Sequence, residues 1–99
     1  MIGVGYFLIN YTRHPQKVKM QIHQVVAFIA IVEEKSFSKA AKKLHMTSAA
    51  VSKQLSSLEK QLDTALIIRT TRKLELTEVG IEYYQACKLI IKNYDLAHK

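Results

Sequence analysis

Tryptophan is absent from the 99 residues, cysteine and proline occur once each, and glycine occurs three times. Each scarcity excludes something. A lone cysteine, Cys87, closes no intramolecular disulfide, so the chain is not a disulfide-stapled secreted domain and a reducing, cytoplasmic compartment is expected. So few glycines and prolines argue against long disordered linkers, and no glycine-rich phosphate loop is visible. The histidines at positions 14, 23, 45 and 98 show no Cys/His ligand spacing, so no metal and no other cofactor is expected. No apolar run approaches the roughly 18 residues that a membrane span needs, and no membrane partner is expected. The first ten residues lack the basic leader and small-residue cleavage site of a signal peptide. No nucleophile–base pair stands out, so an enzyme is not expected.

Acid is the most telling shortage. From Lys35 through Leu58 there is no aspartate or glutamate. Between Lys35 and Lys73 nine basic residues face two acids, Glu59 and Asp63, and this stretch holds the whole net charge of +7. The rest of the chain carries six charges of each sign. A local basic excess on a small domain is the footprint of a polyanionic partner.

What is present is helical period and capping. Between Gln21 and Lys35, Ile22, Val25, Val26, Ile29 and Val32 recur at spacings that predict an amphipathic helix. A short helix follows from about Phe37 to Leu44, with Ser36 or Ser38 able to cap its free N–H groups. His45 suits a left-handed turn better than most side chains. Thr47 caps a third helix whose Val51, Leu55, Leu58 and Leu62 form one buried stripe. Its opposite face carries Ser48, Ala49, Ser52, Lys53, Ser56 and Lys60, small and basic enough to enter a groove. Residues 65–70 and 73–77 read as the two flanks of a hairpin with Arg72 near its tip. Thr77 caps a last helix reaching about His98. That helix shows two apolar stripes, Tyr84, Cys87, Ile91 and Tyr94 on one and Tyr83, Ala86, Ile90 and Ala97 on the other. A domain this small is expected to cover only one, leaving the other for a partner helix.

Three blocks carry a family resemblance: Gln24 through His45, including Ser36-Phe37-Ser38-Lys39-Ala40-Ala41; Ala50-Val51-Ser52-Lys53-Gln54-Leu55-Ser56-Ser57-Leu58-Glu59; and Arg69-Thr70-Thr71-Arg72-Lys73-Leu74-Glu75-Leu76-Thr77 through Gly80. In order and spacing they resemble the N-terminal region of LysR-type transcriptional regulators, over about residues 20–95. The resemblance implies a mainly α fold, a winged helix-turn-helix with a two-stranded β wing and a long C-terminal linker helix. It divides the chain into an extension over 1–19, disordered or forming a short strand, a winged helix-turn-helix over 20–76 and a linker and dimerisation helix over 77–99.

The function this implies is sequence-specific binding of double-stranded DNA in transcription regulation, as a homodimer through the C-terminal helix. The resemblance places base contacts at Thr47, Ser48, Ala49, Ser52 and Lys53. It places backbone contacts near Ser36, Phe37 and Ser38 and the wing arginine at Arg72, with Arg69 and Lys73 beside it completing the expected DNA-binding set. Tyr84, Cys87, Ile91 and Tyr94 are the expected dimer face. Family members carry a much longer C-terminal domain for small effectors, so no effector is expected to bind these 99 residues. The alternatives are a winged-helix protein-interaction module and a non-specific nucleic-acid-binding module.

The chain departs from the family pattern at three places. Ser48-Ala49 stands where the family usually has Gln-Pro, which removes a glutamine able to hold adenine bidentately. Asp63 stands in place of a glycine at the end of the third helix, in a turn that aspartate tolerates less well. Ile67-Ile68 replaces Phe-Glu and makes the wing base more apolar.

Overall fold

The computed structural model describes residues 22–97, without the side chains of residue 90 and residues 93–97. The expected extension over residues 1–19 lies outside the described residues. The described order is α1 (Ile22–Glu34), α2 (Phe37–Leu44), α3 (Ser48–Leu62), β1 (Ile67–Arg69), β2 (Leu74–Leu76) and α4 (Glu78–Ala97). The fold is mainly helical, with a two-stranded antiparallel wing.

Local chemistry sets the helix starts. Ser36, extended at φ −164°, caps α2 by accepting the Lys39 N–H at 3.1 Å. Ser38 is not the cap; its hydroxyl lies 3.1 Å from that of Ser36. Thr47 Oγ1 accepts the Ala50 N–H at 3.0 Å to open α3. Thr77 Oγ1 accepts the Gly80 N–H at 2.9 Å in α4. Caps of this kind each contribute about 1 kcal/mol.

The joints that follow α1, α2 and α3 share one backbone solution. Lys35 (φ 54°), His45 (φ 57°) and Asp63 (φ 54°) all sit in the left-handed region. Two of them close their helix ends as Schellman-type caps. The N–H groups of His45 and Met46 donate to Lys42 O (3.2 Å) and Ala41 O (2.9 Å), and those of Asp63 and Thr64 to Lys60 O (3.2 Å) and Glu59 O (3.1 Å). Asp63 thus makes the turn although it is not glycine. A left-handed residue with a Cβ costs roughly 1–2 kcal/mol. Histidine and aspartate are enriched there; lysine has no such exemption.

The core lies where α1, α2 and α3 pack against one another and α4 closes over α1 and β2. Phe28, fully buried, is its centre, with ring centroids 5.7 Å from Tyr83 and 6.4 Å from Tyr84. Burying such a side chain stabilises the fold by about 1.5–3 kcal/mol. In the wing, Ile67, Ile68 and Arg69 pair with Leu76, Glu75 and Leu74. The strands are shorter than the flanks 65–70 and 73–77 for a definite reason. On one side the N–H groups of Leu66 and Ile67 both go to Glu59 Oε2, at 2.7 and 3.2 Å. On the other, the turn from Thr70 to Lys73 begins, closed by the Thr70 N–H to Lys73 O bond at 2.9 Å.

The last helix corrects an expectation. Among its described side chains, members of both apolar stripes turn inward: Tyr83 and Cys87 belong to the core, and Tyr84, Ala86 and Ile91 pack against it. The inner arc is wide because α4 lies across both α1 and the wing. Cys87 has no exposed surface, so it does not face a partner helix. Burial pushes its thiol up to about 12, which leaves it an inert core group. Tyr84 donates to Glu33 Oε2 at 3.0 Å, tying α4 to α1. The side chain of Tyr94 lies outside the described residues. Among the described residues, the exposed large apolar side chains of α4 are Ile81 and Leu89, the latter 63% exposed.

Candidate nucleic-acid interface

One cavity, of about 370 Å³, opens between the wing and the start of α2. Its walls come from three places in the chain. The α1–α2 joint and first turn of α2 supply Lys35, Ser36, Phe37 and Ser38; the first turn of α3 supplies Ser48; the wing supplies Arg69 through Leu74. Among the described residues no aspartate or glutamate lines it. Four cations and three serines around one concavity form a site for an anion.

The wing is aimed at this cavity by its own turn. Thr70 Oγ1 donates to Lys73 O at 3.0 Å and accepts the N–H groups of Arg72 (3.3 Å) and Lys73 (3.0 Å). Three bonds to one hydroxyl fix the tip on which Arg72 stands. Arg69 is held differently. Its guanidinium lies 4.1 Å from the Phe37 ring centroid, a cation–π contact that links wing to α2. Phe37 is itself buried, so its ring supports Arg69, and only its backbone remains for an outside partner.

The other expected contact residues lie along α3. Thr47, Ser48, Ala49 and Lys53 are exposed and Ser52 is half-buried, on the side opposite buried Val51, Leu55 and Leu58. Ser48 belongs to both groups, since it lines the cavity and begins the exposed face of α3. Cavity and helix face therefore form one continuous surface.

Charge on this surface is unequal. Lys73 is paired with Glu75 at 2.9 Å, and that carboxylate raises its ammonium pKa above the ordinary lysine value. Lys43 is paired with Glu33 (3.8 Å) and Glu34 (3.5 Å) behind the interface. Exposed pairs of this kind contribute 0–1 kcal/mol, yet they offset charge locally. Among the described residues no carboxylate pairs with Lys35, Lys53, Arg69 or Arg72 within 4.0 Å. Two residues of consequence were not among the expected site residues. Lys35 lines the cavity from a left-handed joint, and Glu59 holds the wing to α3. The one available clue to Glu59 was an isolated acid within a basic stretch.

Comparison with known proteins agrees with this geometry. Residues 22–81 match the family described as bacterial regulatory helix-turn-helix protein, lysR family. The chain is similar to the uncharacterized HTH-type transcriptional regulator YhjC of Escherichia coli (strain K12), 42% identical over 73 residues, covering 74% of this chain and 24% of that one. It is 39% identical over 75 residues to the HTH-type transcriptional regulator CrgA of Neisseria meningitidis serogroup C, covering 76% and 25%. The chain thus spans about a quarter of the length of these relatives. Among solved structures, the BenM_DBD/benA site 1 DNA complex superposes with a TM-score of 0.76 at 35% identity, over 79% of this chain and 88% of that one. The CbnR_DBD–DNA complex gives 0.76 at 29% identity, over 80% and 91%. With its family motif, its caps, its wing and its closing helix all in place, the chain belongs to the LysR family of bacterial regulatory helix-turn-helix proteins, and residues 22–97 carry that family's winged helix-turn-helix fold.

Proposed function

We propose that this chain binds double-stranded DNA in transcription regulation, laying α3 in the major groove while the wing and the start of α2 hold the adjacent backbone. The continuity of the acid-free cavity with the exposed face of α3 through Ser48 carries the reading. Backbone contacts fix register and orientation; base edges are then read by whatever side chains lie in the groove. Ser36, Ser38, Arg69, Arg72 and Lys73 take the first task, with Phe37 contributing through its backbone. Thr47, Ser48, Ala49, Ser52 and Lys53 take the second. Serine and alanine at 48 and 49 are short, so Lys53 is the longest base-reading side chain on this face, suited to the acceptors of guanine.

Selection of bound duplexes from a random pool tests the reading directly: enrichment of a common sequence is expected, and a pool that remains random overturns sequence-specific binding. Two variants separate the roles. Lys53→Ala is expected to lose about 1–3 kcal/mol of discrimination at one base pair. Arg72→Ala is expected to weaken selected and scrambled duplexes alike and to lower the salt slope by about 1. Equal losses on both duplexes for Lys53→Ala in a gel-shift titration would remove its base-reading role.

The bound form is a homodimer through α4. Ile81 and Leu89 support this, being large apolar side chains of that helix that stand exposed. Leu89→Asp is expected to shift sedimentation from dimer to monomer while leaving the helical circular-dichroism signal intact. An unchanged dimer would place the contact elsewhere.

A further inference from the structure

Lys35 stands out from the other joint residues. It holds a left-handed backbone at φ 54° without the local tolerance of His45 or Asp63. Strain of this kind persists where the surroundings demand the residue, and it points from an observed outlier toward function. Lys35 is exposed, and among the described residues no carboxylate pairs with it within 4.0 Å. It lines the acid-free cavity across from the wing cations Arg69 and Arg72, with Ser36 and Ser38 beside it. A glycine in its place would relieve the backbone and leave the cavity open on one side.

We propose that Lys35 is a phosphate-binding residue of this chain: its ammonium, Arg69 and Arg72 enclose one phosphodiester group of the DNA backbone, and the left-handed joint is the conformation that turns it there. The inference rests on the DNA-binding reading above and adds to it a residue that trades stability for affinity. A compact ammonium suits this task, since a phosphate oxygen needs charge at short range and little directionality. The contact is blind to sequence, so it strengthens every duplex equally.

The test is a salt titration of the full 99-residue chain on a random-sequence duplex, paired with thermal unfolding of the free protein. One released counterion changes the slope of log K against log salt by about 0.9, which is about eightfold in affinity at 0.1 M relative to 1 M salt. Lys35→Gly is expected to lose that slope and that factor while its Tm rises by about 4 °C. Lys35→Gln is expected to lose the same affinity with no rise in Tm, and Lys35→Arg to keep the affinity. Opposite movement of binding and stability in Lys35→Gly is what a merely structural residue would not produce. Wild-type slope in Lys35→Gly and Lys35→Gln, with Arg72→Ala reduced by one counterion, overturns the assignment and leaves DNA binding standing. A wild-type chain with no salt-dependent duplex affinity overturns both.

Discussion

Gly80→Ala is expected to lower the unfolding free energy by about 3 kcal/mol, although alanine is the better helix former by about 1 kcal/mol. Gly80 is buried in the first turns of α4, and its backbone has an ordinary negative φ. What requires glycine is proximity. A Cβ at this position collides with the carbonyl oxygen of Leu66 and stands 3.1 Å from Leu76 Cδ2. A side chain could swing aside; a carbonyl cannot. This one is held by the Thr77 N–H at 3.0 Å and the Thr77 hydroxyl at 3.3 Å, while the same hydroxyl donates to Ala65 O at 2.8 Å. To admit a methyl group, α4 must retreat from the wing and strain or break the Thr77 cap. Overpacking of about 1–3 kcal/mol is then joined by about 1 kcal/mol for the cap. For a domain of this size the loss lowers Tm by roughly 12–24 °C. Urea unfolding followed by circular dichroism measures it. A neutral or stabilised variant, which helix propensity alone demands, would mean that α4 does not approach Leu66 this closely.

Glu59→Ala carries the second large effect, and here two arguments give opposite signs for binding. By charge alone, deleting an acid from a basic stretch strengthens attraction to DNA. By structure, Glu59 is the acceptor for the N–H groups of Leu66 and Ile67 where the chain leaves α3 for the wing. Charge-assisted bonds to a carboxylate are the stronger kind, and removing the acceptor strands two partly buried donors. The expected loss is about 3 kcal/mol in stability. Duplex affinity falls as well, because Arg69 and Arg72 depend on the strand that Glu59 fixes. Glu59→Gln, which keeps one oxygen without the charge, is expected to lose about half as much stability. Guanidinium titrations of both variants, with duplex binding at fixed salt, decide between the arguments. Tighter binding at wild-type stability would show that Glu59 acts only through its charge.

Much of this domain is written locally. The stripe Val51, Leu55, Leu58 and Leu62 fixes the buried face of α3 with no knowledge of what it packs against. Thr47 and Thr77 cap because a threonine oxygen and a backbone N–H lie within one turn of each other. His45 takes the left-handed joint foreseen for it. Ser36 and Ser38 were equivalent as caps until the backbone placed Ser36 in the extended region. Other features were not legible, since they depend on parts of the chain that meet only in the folded state. Periodicity marks Cys87 as apolar, but whether it faces the core or a second subunit depends on where α4 lies across α1 and the wing. Glu59 meets its two donors seven and eight residues later. Lys35 announces nothing, because lysine is not a turn-forming residue. The cavity itself joins residues 35–38, 48 and 69–74, and no spacing rule connects those segments.

The three left-handed joints also bear on how the surface meets its partner. Glycine in such a joint occupies a broad basin and lets adjoining helices swing. A residue with a Cβ is confined to a narrow well. Lys35 lies between α1 and α2, His45 between α2 and α3, and Asp63 where α3 turns toward the wing, and none of them is glycine. The angles that set cavity against reading helix are thus stiffened at every joint. A joint confined in this way has less ordering left to undergo on contact than a glycine joint, and less contact energy is then lost to conformational entropy when the surface engages.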